Sequence, residues 1–457
     1  MAVSVERLQR EAGCRIVGPD EPGWDEARSA WNASVDQRPA AVALPDHPEE
    51  VAGALRAAAA AGLRVAAQMT GHGAAPLGDL EGTLLVRTAG LRGVAVDGAA
   101  RRARVAAGAR WGEVVEAAQP HGLAGLAGSS PGVGVVGYTL GGGYGWLGRR
   151  YGLACNSVLA ADVVTADGRL MRVDAENEPD LFWALRGGGG GFGVVTALEF
   201  ELHPVAELSA GSLFFPIERG AEVLAAWLAA TRGQPEGVTT VGRLLRLPPI
   251  PDIPQPLRGR EFALVELFCL DGVEQAAEAA APLRALGPEI DTLETMPAAA
   301  IGRVHMDPPD PVPAVGEGRL LDDLPDDAMA AVAGAAGAGS GSSLISLEIR
   351  PLGGAFARRA PDGGALDAVE APFIWFAVGA APGPPARADA ERSLDAAVGA
   401  LAPWAAASPN STLNMLDRPV GGLSLFRPEV EARLRAVKAA YDPDGRLRSA
   451  WAEAAGS

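Results

Sequence analysis

Lysine is almost missing from this chain: of its 39 basic residues only Lys438 is a lysine, the rest being arginine. Chemistry built on a Schiff base or on a phosphate-loop lysine therefore has a single candidate. Basic residues are outnumbered by 56 acidic ones, a formal charge of −17, which opposes a phosphate backbone or an anionic lipid surface and argues against nucleic acid as a partner. Cysteines are few. Cys14, Cys155 and Cys269 are odd in number, widely spaced and without a CxxC pair, so neither a disulfide framework nor a structural zinc site fits. The five histidines, His47, His72, His121, His203 and His305, form no HxxxH or HExxH pattern, and no metal is expected. No apolar run approaches the roughly 20 residues of a membrane-spanning helix. The opening MAVSVERLQREAG lacks a basic segment followed by an apolar stretch. These absences point to a soluble, cytoplasmic protein with no membrane partner.

What is present is apolar bulk and glycine. The 457 residues, 48 % apolar, suffice for two or three domains. LPDHPEEVAGALRAAAAAGL, residues 44–63, predicts a helix capped by Asp46, with Pro48 in its first turn and Val51, Leu55 and Leu63 on one face. Short strands are expected in RVAAQMT, TLLVRT, VAVDG and ARRARVAAG, then a helix in WGEVVEAAQPHG. After Pro204 the texture changes to apolar strands and helices, and a boundary falls near residues 205–210. PPIPDIPQP and PPDPVP read as proline-stiffened surface loops. Residues 327–343 read as a helix running into a turn, and the tail up to Tyr441 as another helix.

Fifty-nine glycines concentrate in residues 122–152 and 187–193. GVGVVG (132–137) and GGGGFG (188–193) both satisfy GxGxxG, yet a dinucleotide fold wants a strand before the motif and a helix opening inside it. GSSP precedes the first copy, TLGGGYG follows it, and the second comes before a strand. A better physical reading is that successive glycines let backbone amides line a concave anion site suited to a pyrophosphate, without help from lysine; tight loop packing is the competing one. In Thr70-Gly71-His72-Gly73-Ala74 the histidine has no bulky neighbours, so its ring can approach a planar ligand, and neutral imidazole is a competent nucleophile; an ordinary polar loop side chain is the alternative.

Taken in order, these segments resemble the FAD-linked oxidases of the vanillyl-alcohol-oxidase, PCMH-type superfamily, and within it the berberine-bridge-enzyme-like group. TGHGAAPLGDL is similar to the group's flavin-attachment loop, GSSPGVGVVGYTLGGGYGWLGRRYGLACNSV to its glycine segment over the flavin, and DLFWALRGGGGGFGVVTALEFELHPV to the end of its FAD domain. LEIRPLGGAFARRAPDGGALDAVEAPFIWFAVG resembles a strand pair of its substrate domain, and VKAAYDPDGRLR its C-terminal stretch. The resemblance implies an α+β protein: a two-part FAD-binding domain over residues 1–206, a substrate-binding domain over 207–417 with an antiparallel sheet backed by helices, and a segment 418–457 returning to the first domain. FAD would be the cofactor, bonded covalently through His72. Thr70, Gly71, Gly73 and Ala74 would meet the pyrophosphate, Ser129, Ser130, Gly134 and Gly137 would line the flavin, Gly193 and Val195 would lie beside the adenosine half, and Asn414 would match the asparagine of a Tyr-x-Asn motif.

Two departures from the family pattern matter. Ser130 stands where bicovalent members have a cysteine, so attachment through His72 alone is implied; Cys155 lies 25 residues downstream of that place and reads as a buried small apolar residue. Thr412 replaces the tyrosine that commonly acts as base, and a threonine hydroxyl is far less acidic than a phenol. Tyr144 and then Tyr138 become the candidate bases, with packing against the cofactor as the alternative. Glu348 and Arg350 alternate with apolar neighbours in ISLEIRPLGG and should share one strand face, which either meets the flavin or faces solvent; His305 could cap the pocket. The expected activity is two-electron oxidation of a small alcohol, sugar or secondary metabolite by hydride transfer to flavin N5, with dioxygen as acceptor. A dehydrogenase using another acceptor and a flavoprotein that binds a metabolite without turnover are the alternatives. Arginine in place of lysine and abundant alanine point to a G+C-rich bacterial genome. No oligomeric state follows.

Overall fold

A computed structural model describes residues 4–418 and 422–454. About 34 % of it is helix and 25 % strand, in three sheets. The first sheet has four strands in the spatial order Arg15–Val17, Ala41–Leu44, Thr83–Arg87, Arg64–Gln68, all parallel except the first pair. Helices Val5–Ala12 and Pro48–Ala60 pack together, and only glycine fits at 53, where a Cβ would stand 2.1 Å from the carbonyl oxygen of Ala12. The second helix starts later than its sequence suggests. Its N-cap is His47, Pro48 supplies a preset φ at the first helical position, and the Asp46 amide donates to Glu50 Oε2 instead of the Asp46 side chain capping the helix.

The second sheet is antiparallel, ordered Val94–Asp97, Arg102–Ala106, Val194–Glu201, Val158–Val164, Leu170–Asp174. The third begins with Glu207–Pro216 and has eight antiparallel strands, with Glu261–Cys269, Val238–Arg246, Leu344–Pro351 and Phe373–Ala380 adjacent in that order at its centre. The period of two decides which side chains go where. Leu244, Ala263, Val265, Leu347, Ile349, Trp375 and Ala377 point to one face and pack under helices Gly220–Thr231, Ala328–Ala336 and Pro384–Leu401. Arg243, Glu266, Glu348 and Arg350 belong to the opposite face.

Helix Pro428–Tyr441 packs on helix Pro179–Leu185, and the chain then returns to the first sheet, where the Val65 amide donates to the Arg446 carbonyl and the Arg448 amide to the Val65 carbonyl. Lys438 fastens this return. Its ammonium lies 2.9 Å from the carbonyl oxygens of Gly191 and Leu447 and from Asp442 Oδ2. All three cysteines are buried and free. Among the described residues no helix is long and apolar enough to cross a membrane, and no group of histidine, cysteine and carboxylate side chains could hold a metal ion.

Candidate functional site

The strand Arg64–Gln68 ends in the loop that carries His72. Thr70 Oγ1 lies 2.8 Å from His72 Nδ1, and the Trp31 ring stacks on the imidazole at 4.3 Å between centroids, 18° from parallel. Trp31 is itself held by its amide, which donates to the Thr70 carbonyl. Burial dominates the imidazole's electrostatics and brings its pKa down to about 4, so the ring is neutral at pH 7. Gly71 needs its φ of +87°, and a Cβ there would strike Ala30 and Gln68 within 3 Å. Among the described residues, the amides of Gly71, His72, Gly73 and Ala74 find no hydrogen-bond acceptor. Adjacent backbone amides on a glycine loop are the kind of donor that a phosphate accepts from.

The glycine segment 122–152 follows its own logic. No strand leads into Gly132; residues 125–134 are loop, and a short helix, Val135–Leu140, opens inside the motif and stops at Gly141. Half of the dinucleotide-fold context is thus absent. A Cβ on Gly137 would meet nothing within 4 Å, as at Gly73, whereas one on Gly145 would be 2.1 Å from the Ala127 carbonyl oxygen. Some of these glycines border open space and others permit close packing. Ser130 Oγ accepts from the Gly132 amide at 3.3 Å, and Gly134 packs on Met69. Asn414 ties the segment to the C-terminal part of the chain: its Oδ1 accepts from the Gly143 amide at 2.9 Å, and its Nδ2 donates to the Tyr138 carbonyl at 3.1 Å. Gly193 and Val195 sit at the start of the strand Val194–Glu201, with the Val195 side chain in the core.

Facing this segment, the polar side of the third sheet carries a buried ionic cluster. Arg243 and Glu348 are direct partners on adjacent strands. Glu348 Oε1 accepts from Arg350 Nη2 at 2.6 Å, and Glu348 Oε2 lies 3.1 Å from His305 Nε2. His305 Nδ1 stands 2.7 Å from Glu266 Oε2, and Arg243 Nη1 reaches Glu266 Oε1 at 3.0 Å. Glu266 is 0 % exposed and Glu348 2 %. Asp307 adds a carboxylate 3.8 Å from His305 Nε2 and accepts from Ser129 Oγ at 2.6 Å, which links the cluster to the glycine segment. Three carboxylates thus meet two guanidinium groups and one imidazole. Arg350 also lies over the Trp146 ring, which stacks on Phe268.

The two tyrosines occupy apolar surroundings. Tyr144 stacks on Phe356 at 5.9 Å, beside Thr412, and Tyr138 meets Trp111 edge-on at 5.7 Å. Among the described residues neither hydroxyl, nor that of Thr412, has a hydrogen-bond partner, and burial pushes both phenols up from their ordinary value. Cys155 is buried, its Sγ facing the Leu366 carbonyl. The structure brings the sequence-named Glu348, Arg350 and His305 together, adds to them Arg243, Glu266 and Asp307, and sets Trp31 against His72; none of Arg243, Glu266, Asp307 and Trp31 was singled out from the sequence. The Arg and the Glu in the interior of VTTVGRLLR and EFALVELFC, flanked by apolar residues, were the available signals for two of these, since a charge within a buried strand needs a partner.

The unpaired amides of residues 71–74, the open space beside Gly73 and Gly137, and a neutral histidine on the same loop fit a flavin dinucleotide. Residues 39–174 match the family model described as FAD binding domain. The (R)-6-hydroxynicotine oxidase of Paenarthrobacter nicotinovorans is 28 % identical over 448 residues, covering 95 % of each chain. The crystal structure of 6-hydroxy-D-nicotine oxidase from Arthrobacter nicotinovorans shares the architecture with a TM-score of 0.82 at 26 % identity, over 95 % of this chain and 96 % of that one. A variant of Physcomitrella patens BBE-like 1, 20 % identical, shares the fold with a TM-score of 0.84 over 98 % of both.

Proposed function

We propose, from the premise that the chain belongs to the PCMH-type FAD-linked oxidases, that it oxidises a small alcohol, sugar, amine or secondary metabolite by two electrons and passes them to dioxygen. The carrying observation is the ionic cluster on the polar face of the third sheet, opposite the glycine segment and linked to it through Ser129 and Asp307. Bound FAD supplies the hydride acceptor at ring nitrogen N5. The chain supplies the rest. Glu348 takes the proton of the substrate's hydroxyl or amine, and Arg350 and Trp146 orient the molecule beside it. Burial keeps Tyr138 and Tyr144 protonated, which favours the carboxylate as proton acceptor and leaves the phenols as donors that position substrate. Such acid–base help contributes about 10²–10⁴ in rate.

His72 is proposed as the covalent attachment point. Its support is the neutral ring, clamped by Trp31 and Thr70 and flanked by glycines, next to the unpaired amides; Ser130 cannot form a thioether, so one bond is expected. Acid-precipitated protein should stay yellow and His72→Ala should release its colour into the supernatant. Anaerobic mixing with alcohols, sugars and amines should bleach the flavin, and admission of air should restore the colour quickly for an oxidase and slowly for a dehydrogenase. A panel that never bleaches a fully loaded protein defeats the proposal.

A further inference from the structure

A carboxyl group taken out of water drifts towards its neutral form, in which it cannot accept a proton. Glu348 is in that position, and two cations answer it. Arg350 comes from its own strand, two residues on. His305 comes from the loop before Pro308 and is gripped from behind: its Nδ1 lies 2.9 and 2.7 Å from the two oxygens of Glu266. Arg243 Nη1 closes the arrangement, reaching Glu266 Oε1 at 3.0 Å and the His305 carbonyl at 2.7 Å. Nδ1 faces Glu266, with Arg243 Nη1 also 3.2 Å from it, while Nε2 stands 3.1 Å from Glu348 Oε2 as a charge contact without hydrogen-bond geometry. The result is a row of carboxylate, imidazolium and carboxylate in which the outer members come from different strands.

We propose that His305, held as a cation by Glu266, is a positioning residue whose charge beside Oε2 keeps Glu348 ionised, so that Glu266 and His305 together set the pH range in which Glu348 accepts a proton. The inference rests on Glu348 being the acceptor in the reaction proposed above. In that reaction the substrate's O–H or N–H proton passes to Glu348, its carbon loses a hydride to FAD, and a carbonyl or imine remains; the proton on Glu348 leaves to solvent. The charged groups facing His305 are Arg243, Glu266, Glu348 and Arg350 from three strands and Asp307 from its own loop, with the Trp146 indole at 5.3 Å. Burial and Arg243 oppose the imidazolium, but Glu266, Glu348 and Asp307 outweigh them and raise His305 to about 9. Burial opposes the Glu348 carboxylate, yet Arg350 and His305 hold it well below the ordinary range.

Two measurements on the FAD-loaded protein test this. In ¹⁵N-histidine NMR at pH 7.5, where an ordinary imidazole of pKa about 6.5 is neutral, one ring should carry protons on both nitrogens, and His305→Gln should remove that signal. A spectrum with no imidazolium overturns the inference without any variant. The pH dependence of anaerobic flavin reduction is the second measurement. The wild-type acid limb should lie below the ordinary carboxyl value of about 4.3, and in His305→Gln it should rise by about one pH unit or more, so that the rate lost at pH 4–5 is recovered as pH is raised. Glu266→Gln should shift it the same way, less far. A limb that stays in place in both variants overturns the inference even if rates fall, because lost packing alone lowers a rate without moving a titration. Glu348→Gln separates the two readings. Wild-type reduction by that variant removes the acceptor assignment; slow reduction by it beside unmoved His305 and Glu266 profiles removes only the present inference.

Discussion

Asp417 shows what a charge costs here when no cation is placed against it. It lies largely buried between the Asn32 loop and Gly316 of the third sheet, accepts a 3.4 Å hydrogen bond from Asn32 Nδ2, and makes no ion pair among the described residues. Burial pushes its carboxyl up to about 6. A carboxyl whose folded pKa is raised favours the folded state while protonated; that contribution is full below the ordinary value near 4 and is lost as pH rises through about 6. Asp417→Asn should therefore raise stability at pH 7–8 by up to about 3 kcal/mol. In urea melts the gain should vanish between pH 6 and pH 4, and a gain that is constant with pH contradicts the assignment. Sequence pattern could not reveal this, because Asp417 stands next to Arg418 and reads as half of a solvated charge pair. His72 differs: two glycine neighbours and a preceding strand advertise it, whereas its stacking partner Trp31 lies 41 positions away and is invisible without the fold.

At the scale of elements, the glycine segment divides into two kinds of position that one letter conceals. Gly145→Ala would press a methyl group into the Ala127 carbonyl, which a backbone cannot yield cheaply; an overpacking cost of about 1–3 kcal/mol or more is expected in thermal unfolding. Gly137→Ala meets nothing within 4 Å and stands in a helix of ordinary φ, so the apoprotein should melt unchanged while the ratio of bound flavin to protein falls. Equal effects at both sites would contradict the division. Strands and helices themselves were legible to within a few residues: RVAAQMT gives Arg64–Gln68, TLLVRT gives Thr83–Arg87, and the tail helix ends at Tyr441 as its apolar spacing requires. The short helix Val135–Leu140 was not, because glycine on both sides argues against a helix that only tertiary packing sustains. Glu266 and Arg243 escaped notice for a related reason: period two tells that a residue faces one side of a sheet, not which side holds the chemistry.

Across the whole molecule, the proposed function draws on two faces that the fold brings together, the glycine loop after the first sheet and the charged face of the third. The C-terminal return braces the first of these. Lys438 holds the Gly191 carbonyl while paired to Asp442, whose side chain is fully buried. Lys438→Met should cost about 2 kcal/mol in urea unfolding, since it takes the cation from Asp442, which is left with the Arg446 and Leu447 amides, and the ammonium donor from two carbonyl groups, and it should loosen FAD through the glycine run at 187–193. Unchanged unfolding would show that the lysine merely decorates the helix.

Each of the three thiols lies inside a different cluster of apolar side chains, and burial pushes the Cys14 and Cys155 sulfhydryls up to about 11 and about 12. The thiolate is the reactive species, so the folded molecule shows no sulfur nucleophile to its surroundings. A maleimide or disulfide reagent added to it becomes a stopwatch for opening events, with one sulfur reporting from the core of the first sheet and two from separate apolar clusters against the third.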